Sequence, residues 1–424
     1  MKLNFTLLIV SLLLVTISSG QSITRCATVE HHAFLINEGL SPANQLDQLD
    51  QAIQQWIDNN PENSSTVITI PVVFHVIYNT SAQNISDAKI LAQLDVLNKD
   101  FSRTNADASN TPAVFQTLGA DTEIQFCLAT QDANGNPTTG IIRTSTNKSS
   151  FSLNDDIKFT SSGGANGWNS NHYLNIWTGR IMEDFGQGPE PILGYAQFPG
   201  GTGNTDGVVI YFSAVGGPNA PGTFTPYHLG RTGTHEVGHW LGLSHVWGDD
   251  GSSCSGSDQI NDTPNQGPPN FNCPSFPKIS CSNGPNGDMF MNYMDYTNDN
   301  CMNIFTQGQK TRMQGAINTS RSTLSFSQGC VAVGISSVDA LNASISIFPN
   351  PSSGLFTLQT SFQEDTDLNV FVYNVLGEKI LQAENKNLLR NKLGLDLNNY
   401  SNGIYYIVFE ANGFTASRKV SISR

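Results

Sequence analysis

Three histidines within a short run constrain this chain more than any other feature. They are His235, His239 and His245 in "HEVGHWLGLSH", although the chain has only eight histidines among 424 residues. Residues four apart share one face of an α-helix, so the first two can point their imidazoles at a single position. Gly242 lets the chain leave the helix, and the third histidine can then return to that position. The run therefore predicts a helix, a turn and three converging nitrogens.

Converging imidazoles of this kind form a candidate metal site. Three neutral imidazoles suit Zn²⁺ and leave its fourth position open for water, which is typical of catalytic zinc. Glu236 follows the first histidine, so its carboxylate can take a proton from a metal-activated water. We expect Glu236 to be a general base in the hydrolysis of an unreactive acyl bond, most simply a peptide bond.

Charge and the N-terminal segment restrict the partners and the location. The formal net charge is −14, with only 13% charged residues, so nucleic acids are not expected partners. The opening "MKLNFTLLIVSLLLVTISSGQS" has one early cation, an apolar run and then small residues. This pattern predicts a signal peptide over residues 1–20, and the run is short for a membrane anchor. No other stretch is long and apolar enough to cross a bilayer, so we expect export.

The rest of the chain divides into segments that differ in composition and in hydrophobic pattern. A polar segment over residues 21–65 contains one amphipathic stretch, "LDQLDQAIQQWI". Alternating strand and helix patterns then predict an α+β domain over 66–330. A linker over 331–344 leads to short alternating strands, which predict a small all-β sandwich over 345–424.

Within the α+β domain, the strongest patterns are one strand and two helices. "VITIPVVFHVIY" reads as a buried strand, which makes His75 a core histidine, and further strands are expected at "TEIQFCLAT", "YLNIWTGRI", "LGYAQFP" and "DGVVIYF". "DAKILAQLDVLNKDFSRTN" predicts a helix, and "FTQGQKTRMQGAINTSRSTL" predicts a closing one. The buried face of the first helix is expected to be formed by Ile90, Leu91, Leu94, Leu97 and Phe101.

The seven cysteines indicate disulfides in an exported chain, with at least one thiol left over. Four of them, Cys254, Cys273, Cys281 and Cys301, follow the histidine run and allow three connectivities. The other three are Cys26, Cys127 and Cys330. Cys26 is free if the other two pair with each other, and is otherwise available for a disulfide with either.

The histidine run and a later segment together resemble a known family. "HEVGHWLGLSH" matches the extended zinc signature of the metzincin metallopeptidases, in which a methionine-containing turn follows. "MNYMDYTNDNCM" supplies such a turn at Met294. With "DGVVIYF" and "FMNYMDYTNDNCMNIFTQGQ", nearly all of Thr66–Cys330 resembles the pappalysin family. The resemblance implies a metzincin-type catalytic domain, a twisted mixed sheet with backing and active-site helices.

Roles for single residues come with that resemblance. His235, His239 and His245 match the zinc ligands, Glu236 matches the general base, and Met294 matches the hydrophobic base beneath the metal. Tyr296 matches a tyrosine that can hydrogen-bond the tetrahedral intermediate, although a packed aromatic residue is the alternative. "LGYAQFP" matches the upper rim of the cleft, where an extended substrate adds as a β-strand.

The resemblance also extends to the disulfides and to a second metal. It implies the pairs Cys254–Cys281 and Cys273–Cys301. It further implies structural calcium in "CSGSDQINDTP", where Asp258 and Asp262 offer oxygen ligands, and a solvated loop is the alternative. 

The C-terminal segment "FPNPSSGLFTL", with "YNVLGEKI" and "NGIYYIVF" after it, resembles the sorting domain of the type IX secretion system of Gram-negative bacteria. That resemblance implies an extracellular or outer-surface protein whose tail addresses the outer-membrane secretion machinery. A glycan-binding sandwich is an alternative, but the sequence shows no aromatic stacking face.

A latent precursor is the last expectation. We expect the polar segment over residues 21–65 to be a propeptide, and Cys26 lies in it. A thiolate there could occupy the open zinc position, a switch that some members of the resembled family use. Asp299 could lie at the floor of the S1′ pocket and favour a basic side chain, or it could cap a turn. Because no Lys or Arg lies between Arg25 and Lys89, an enzyme restricted to basic residues could not cut its own junction near Ser65.

These observations favour a secreted zinc endopeptidase made as a zymogen. An adhesin that keeps the scaffold only as a binding module is the alternative from another class. Such proteins usually lose the base or a ligand, and this chain has all of them.

Overall fold

The computed structural model describes residues 23–60, 67–331, 338–362, 365–389 and 391–424. The predicted signal peptide and the expected cleavage junction near Ser65 lie outside these ranges. The helices are α1 (Thr28–Asn37), α2 (Gln45–Asn59), α3 (Asp87–Phe101), α4 (Ala113–Gln116), α5 (Arg231–Trp240), α6 (Gln307–Ser320) and α7 (Val338–Ala343).

The segment "VITIPVVFHVIY" forms the strand that we call central, because three other strands of the larger domain pair with it. The strands of this domain are β1 (Ile68–Tyr78), β2 (Ile124–Leu128), β3 (Ile141–Ser145), β4 (Leu174–Gly179), β5 (Met182–Glu183), β6 (Glu190–Pro191), β7 (Gly194–Ala196) and β8 (Val208–Tyr211). The main sheet has the order β2-β1-β4-β8-β7, and β3 pairs with the far end of β1. All these pairs are parallel except β7 with β8. The expected mixed sheet is thus confirmed, with an antiparallel strand at its edge.

Helix α3 packs on the sheet but not with every residue of the predicted face. Ile90, Leu97 and Phe101 are fully buried, whereas Leu91 is 52% exposed. Leu91 follows Ile90 by one residue and is therefore rotated by about 100° around the helix. Val96, which was not in the predicted set, is buried. The prediction for Leu91 was wrong because its position on the helix, rather than its hydrophobicity, decides its burial.

The amphipathic stretch forms α2, which packs on α6. Ile53 is 1% exposed and clusters with Ala316 of α6. Asp50 of α2 forms an ion pair with Arg312, whose Nε also donates to the Gly242 carbonyl at 2.7 Å. One arginine thereby connects α2 to the turn that ends the histidine helix.

The C-terminal segment forms the predicted sandwich. Its strands are β9 (Ile345–Phe348), β10 (Leu355–Thr360), β11 (Thr366–Tyr373), β12 (Lys379–Leu388), β13 (Lys392–Asp396), β14 (Gly403–Ala411) and β15 (Phe414–Ile422). They form two antiparallel sheets with the orders β13-β10-β9 and β12-β11-β14-β15. Among the residues that the structure describes, no helix has the length and hydrophobicity needed to span a membrane.

Three disulfides fix the loops of the larger domain. The pairs Cys254–Cys281 and Cys273–Cys301 are those that the family resemblance implies, and both are confirmed. Cys127 of β2 pairs with Cys330 across a sequence separation of 203 residues. Of the alternatives left open for Cys26, the structure therefore has the free thiol, and it is buried.

Candidate metal centre and substrate cleft

Helix α5 carries the first two histidines in the interior of the larger domain. All its residues are buried, and Gln93 of α3 holds its start by donating to the Gly230 carbonyl at 2.8 Å. The chain then turns at Gly242, whose φ of +88° lies in the left-handed region that favours glycine. A Cβ at Gly242 would also lie 3.1 Å from the Cβ of Ala316. This turn returns His245 to the face of α5.

The three histidines converge through their Nε2 atoms. These atoms lie 3.1 Å apart for His235 and His239, 3.0 Å for His239 and His245, and 3.3 Å for His235 and His245. All three residues are buried. Nitrogens bound to one tetrahedral Zn²⁺ at about 2.0–2.1 Å have a comparable separation.

The other ring nitrogen of each histidine has its own partner. Nδ1 of His235 and Nδ1 of His239 each lie 2.7 Å from a backbone carbonyl oxygen, of Tyr293 and Leu243 respectively. Nδ1 of His245 lies 2.6 Å from the Asp249 carboxylate. Acceptors at Nδ1 assign the proton to that nitrogen and leave Nε2 with its lone pair. The sequence reasoning missed Asp249, although its place four residues after His245 was a usable signal.

This donor set fits a zinc ion. Burial holds the pKa of His235 and of His239 well below the usual range, and the neighbouring imidazoles lower it further. These two histidines are therefore neutral, and the acceptors at Nδ1 turn the Nε2 atoms of all three rings toward one another. A borderline-soft divalent cation satisfies all three. The Cys26 thiol completes a group of four ligand atoms within 4.8 Å of one another.

Cys26 reaches the centre on a segment that pairs with the edge of the sheet. Thr24 forms a parallel bridge with Ile192, and the Ala27 amide donates to the Gly194 carbonyl at 3.0 Å. Burial raises the pKa of the Cys26 thiol well above its usual range, and the nearby Glu236 carboxylate raises it further. The structure thus places a predicted propeptide residue against the three histidines.

The side chain of Glu236 extends from α5 to the edge strand β7. Its Oε2 accepts a hydrogen bond from the Thr28 hydroxyl at 2.9 Å and lies 3.4 Å from the Cys26 sulfur, whereas its Oε1 has no hydrogen-bond partner among the described residues. Burial raises the pKa of this carboxyl to about 8. A Cβ at Gly194 would lie 2.6 Å from the Glu236 Cγ, so only a glycine on β7 leaves room for this side chain.

Aromatic rings and one methionine surround the histidines. The Tyr296 ring contacts His235 and His245 at centroid distances of 5.6 and 5.0 Å, and its hydroxyl donates to the Cys26 carbonyl at 3.4 Å. Met294 is fully buried beneath α5, with its sulfur 2.5 Å from where a Cβ at Gly238 would lie. Trp247 stacks on His245 at 4.2 Å, a contact that sequence reasoning did not predict.

Next to Cys26, the Arg25 side chain fills a pocket of its own. Its guanidinium forms an ion pair with Asp299 at 3.4 Å, contacts the Thr232 hydroxyl, and lies 4.8 Å from the centre of the Tyr227 ring. Both charged side chains are at most 1% exposed. The second Asp299 oxygen accepts from the Leu229 amide at 2.7 Å. The pocket therefore holds a guanidinium by charge, hydrogen bond and ring face together.

The two aspartates expected at a calcium site have protein partners. Asp258 accepts hydrogen bonds from the Ile260 amide and the Thr263 hydroxyl at 3.1 and 2.7 Å. Burial raises the pKa of Asp258 to about 7. Asp262 accepts from the Thr306 hydroxyl and the Gly308 amide at 2.7 and 2.9 Å. In this structure Asp262 serves the N-terminus of α6.

Comparisons with known protein families match both domains. Residues 160–318 match the model of peptidase family M43, described as pregnancy-associated plasma protein-A, and residues 346–423 match the secretion system C-terminal sorting domain. Among curated proteins, an extracellular metalloprotease of Arthroderma benhamiae is 34% identical over 255 residues, which is 58% of this chain and 71% of the relative.

Two solved structures of a related protein also match the larger domain. Mature mirolysin of Tannerella forsythia with a cleaved peptide is 53% identical, with a TM-score of 0.58, over 62% of this chain and 97% of that one. A promirolysin mutant from the same organism is 48% identical, with a TM-score of 0.59, over 67% of this chain and 95% of that one.

Proposed function

The chain belongs to the pappalysin family of zinc metalloendopeptidases and is secreted, and on that premise we propose how its own residues act. We propose that His235, His239 and His245 hold the zinc ion and that Glu236 is the general base. The convergence of three Nε2 lone pairs beside one buried carboxylate carries this assignment. The bound ion would lower the pKa of water and polarise the carbonyl of the peptide bond under attack.

Glu236 is placed to move the proton in this reaction. Its carboxylate takes the proton from the attacking water and gives it to the leaving amine nitrogen. In the latent chain the Thr28 hydroxyl and the Cys26 thiol contact Oε2, so their departure frees this oxygen for the transfer. Burial keeps the pKa of the carboxyl near neutrality in the latent chain, a range that suits both accepting and releasing a proton.

Tyr296 is proposed to stabilise the developing oxyanion. In the latent chain its hydroxyl donates to the Cys26 carbonyl, next to the histidines. A substrate carbonyl that takes this place would receive the same hydrogen bond. Such a donor acts on charge that develops during the reaction, so it lowers the barrier more than it tightens substrate binding.

We propose that residues 21–65 form a propeptide that keeps the enzyme latent, ahead of a catalytic domain over 66–330. Arg25, Cys26 and Thr28 occupy three positions that the reaction needs: the pocket at Asp299, the fourth metal position and the general base. Helix α2 adds a second attachment through Asp50 and Ile53. A propeptide held at both places blocks the cleft until it is cut.

The pocket at Asp299 is proposed to be the S1′ pocket, with a preference for arginine. Asp299 is buried and faces the guanidinium of Arg25, with Thr232 and Tyr227 at its sides. Arginine presents a planar fork that such a site matches better than the point charge of lysine.

Calcium remains a proposal for Asp258, because a bound divalent cation would stabilise that buried carboxylate.

Two substitutions separate the base from the ligands. Glu236→Ala should lower kcat/KM on casein about 100- to 10,000-fold while zinc stays stoichiometric, because the base does not bind the metal. His245→Ala should lose both zinc and activity. Metal analysis of the same preparations reports zinc and calcium together. Loss of zinc from the Glu236 variant would contradict its assignment, and absence of calcium from the wild type would remove that proposal.

The latency proposal is tested on the uncut precursor. Cys26→Ala should let the precursor cleave a peptide substrate without processing, because it frees the fourth metal position. Cys26→Ser is the matched variant of similar size with a poorer zinc ligand, and it should behave alike. A Cys26→Ala precursor that stays latent would refute the thiol switch. If the Glu236→Ala precursor matures normally, a second protease makes the cut.

Peptide-library profiling of the mature enzyme tests the Asp299 pocket. Wild type should select arginine immediately after the cleaved bond, and Asp299→Asn should lose most of this preference while still cleaving. The amide keeps the size of the side chain and removes its charge. An unchanged preference in the variant would show that the specificity lies elsewhere.

We propose the type IX secretion machinery as the partner of the sandwich. Truncation after residue 336 should leave proteolysis intact in a heterologous host and abolish export in the native host, because no residue of the proposed site lies beyond Asp299. An inactive but folded truncated chain would place part of the site in the tail. Normal export would exclude the sandwich as the address.

A further inference from the structure

A second cleft of about 550 Å³ lies beside the histidine helix α5, whose Trp240 contacts Asp206 and Arg321 of the cleft lining. Two loops form it, residues 167–171 before β4 and 200–206 between β7 and β8, together with the end of α6. The second loop continues directly from the edge strand β7. Phe198, between that strand and the loop, contacts the His239 ring at a centroid distance of 5.6 Å. The cleft therefore adjoins the end of the substrate-binding strand.

The floor of this cleft carries one negative and one positive side chain, which form an ion pair with each other. Asp206 and Arg321 form a two-point ion pair, and their side chains are 7% and 5% exposed. Trp240 donates its indole N–H to Asp206 at 3.1 Å, and the Arg321 guanidinium lies 4.0 Å from the centre of the Trp240 ring. Neither charge is free to bind an ionised ligand. A phosphate, a nucleotide or a charged peptide side chain would find no counter-charge here.

The wall of the cleft carries a fixed aromatic ring. The backbone of Trp168 is held on both sides by Asn175, which accepts from its amide at 2.7 Å and donates to its carbonyl at 2.9 Å. Asn175 is in turn 2.9 Å from Nε2 of His75 on the central strand. The Trp168 ring is half-buried and packs edge-on against Tyr173. A buried polar chain thus fixes this tryptophan at the surface.

Uncharged polar side chains line the cleft together with Trp168. Within the described part of the chain, the side chains of Ser170, Asn171 and Asn204 make no hydrogen bond, and the indole N–H of Trp168 has no acceptor. These groups offer both donors and acceptors around an apolar ring face. A sugar has the complementary surface, with hydroxyls at its edge and C–H groups on its faces.

We propose that this cleft binds a neutral saccharide. Its volume is within the range of small-ligand pockets, and its lining offers an aromatic face, uncharged hydrogen-bonding groups and no free charge. Because the cleft adjoins β7, the sugar of a glycosylated protein would bind there while the polypeptide lies along the strand. This recruitment of glycosylated substrates rests on the proposed function, whereas binding of a free saccharide does not.

Binding is measured on the full chain carrying Glu236→Ala, which prevents autolysis. The probes are N,N′,N″-triacetylchitotriose and mannotriose, observed by saturation-transfer NMR. We expect at least one to bind, with affinity about fivefold weaker after Asn204→Ala, which removes one hydrogen-bonding side chain, and undetectable after Trp168→Ala. Asn134→Ala, an exposed asparagine in another loop, is the matched control and should not change binding.

Two results would overturn the saccharide site. One is that neither probe binds at ten-millimolar concentration, and the other is that binding survives both Trp168→Ala and Asn204→Ala. Since Asn204 is exposed and its side chain makes no hydrogen bond within the ranges that the structure describes, its variant is expected to fold even where Trp168→Ala does not.

Recruitment is measured with the mature enzyme on asialofetuin before and after enzymatic removal of its glycans. Wild type should cleave the glycosylated form faster, and Trp168→Ala should cleave both forms equally. An unglycosylated peptide, cleaved at the same rate by both enzymes, shows that proteolysis itself is intact. Equal wild-type rates on the two fetuin forms would overturn recruitment while leaving the catalytic assignment untouched.

Discussion

The structure is organised around three lone pairs that face one another. The Nε2 atoms of His235, His239 and His245 lie within 3.3 Å of each other, and the bonds at Nδ1 prevent the rings from turning away. A buried acceptor without a donor costs about 1–3 kcal/mol. A divalent cation removes this cost at all three atoms, so the metal stabilises the same arrangement that it needs for binding. The buried helix, the turn at Gly242 and the methionine beneath them serve to keep these atoms in place.

Residues 25–28 contact the same groups to which we assign the reaction. The Asp299 carboxylate faces a guanidinium, Glu236 accepts from a hydroxyl, and the Tyr296 hydroxyl donates to a backbone carbonyl, all supplied by residues 25–28. These residues, which we propose to belong to a propeptide, therefore satisfy the polar groups of the cleft and occupy it at the same time. Without these partners, the buried polar and charged groups of the cleft would be left unpaired, which costs free energy.

The sequence predicted those features that depend on local periodicity or on a motif. The central strand, α3, α6 and the helix of the histidine run are all found where the patterns indicated them. Contacts between distant segments could not be read from the chain: the ion pair of Arg25 and Asp299 and the cleft at Trp168 each join segments that are far apart in the sequence. No spacing rule links residues that only the tertiary fold brings together. Leu91 shows the converse, since an apolar residue one position off the buried face points to solvent.

The disulfide between Cys127 and Cys330 also has a mechanical meaning. It joins β2, which pairs with the central strand, to a residue that follows α6 and precedes the tail. Thr130 adds hydrogen bonds to the carbonyls of Gly329 and Val331 beside it. A pulling force on the C-terminal tail, such as translocation of the chain would exert, reaches this covalent bond before it reaches α6. The load then passes through β2 into the parallel sheet and bypasses α6, the helix that supports the histidine turn.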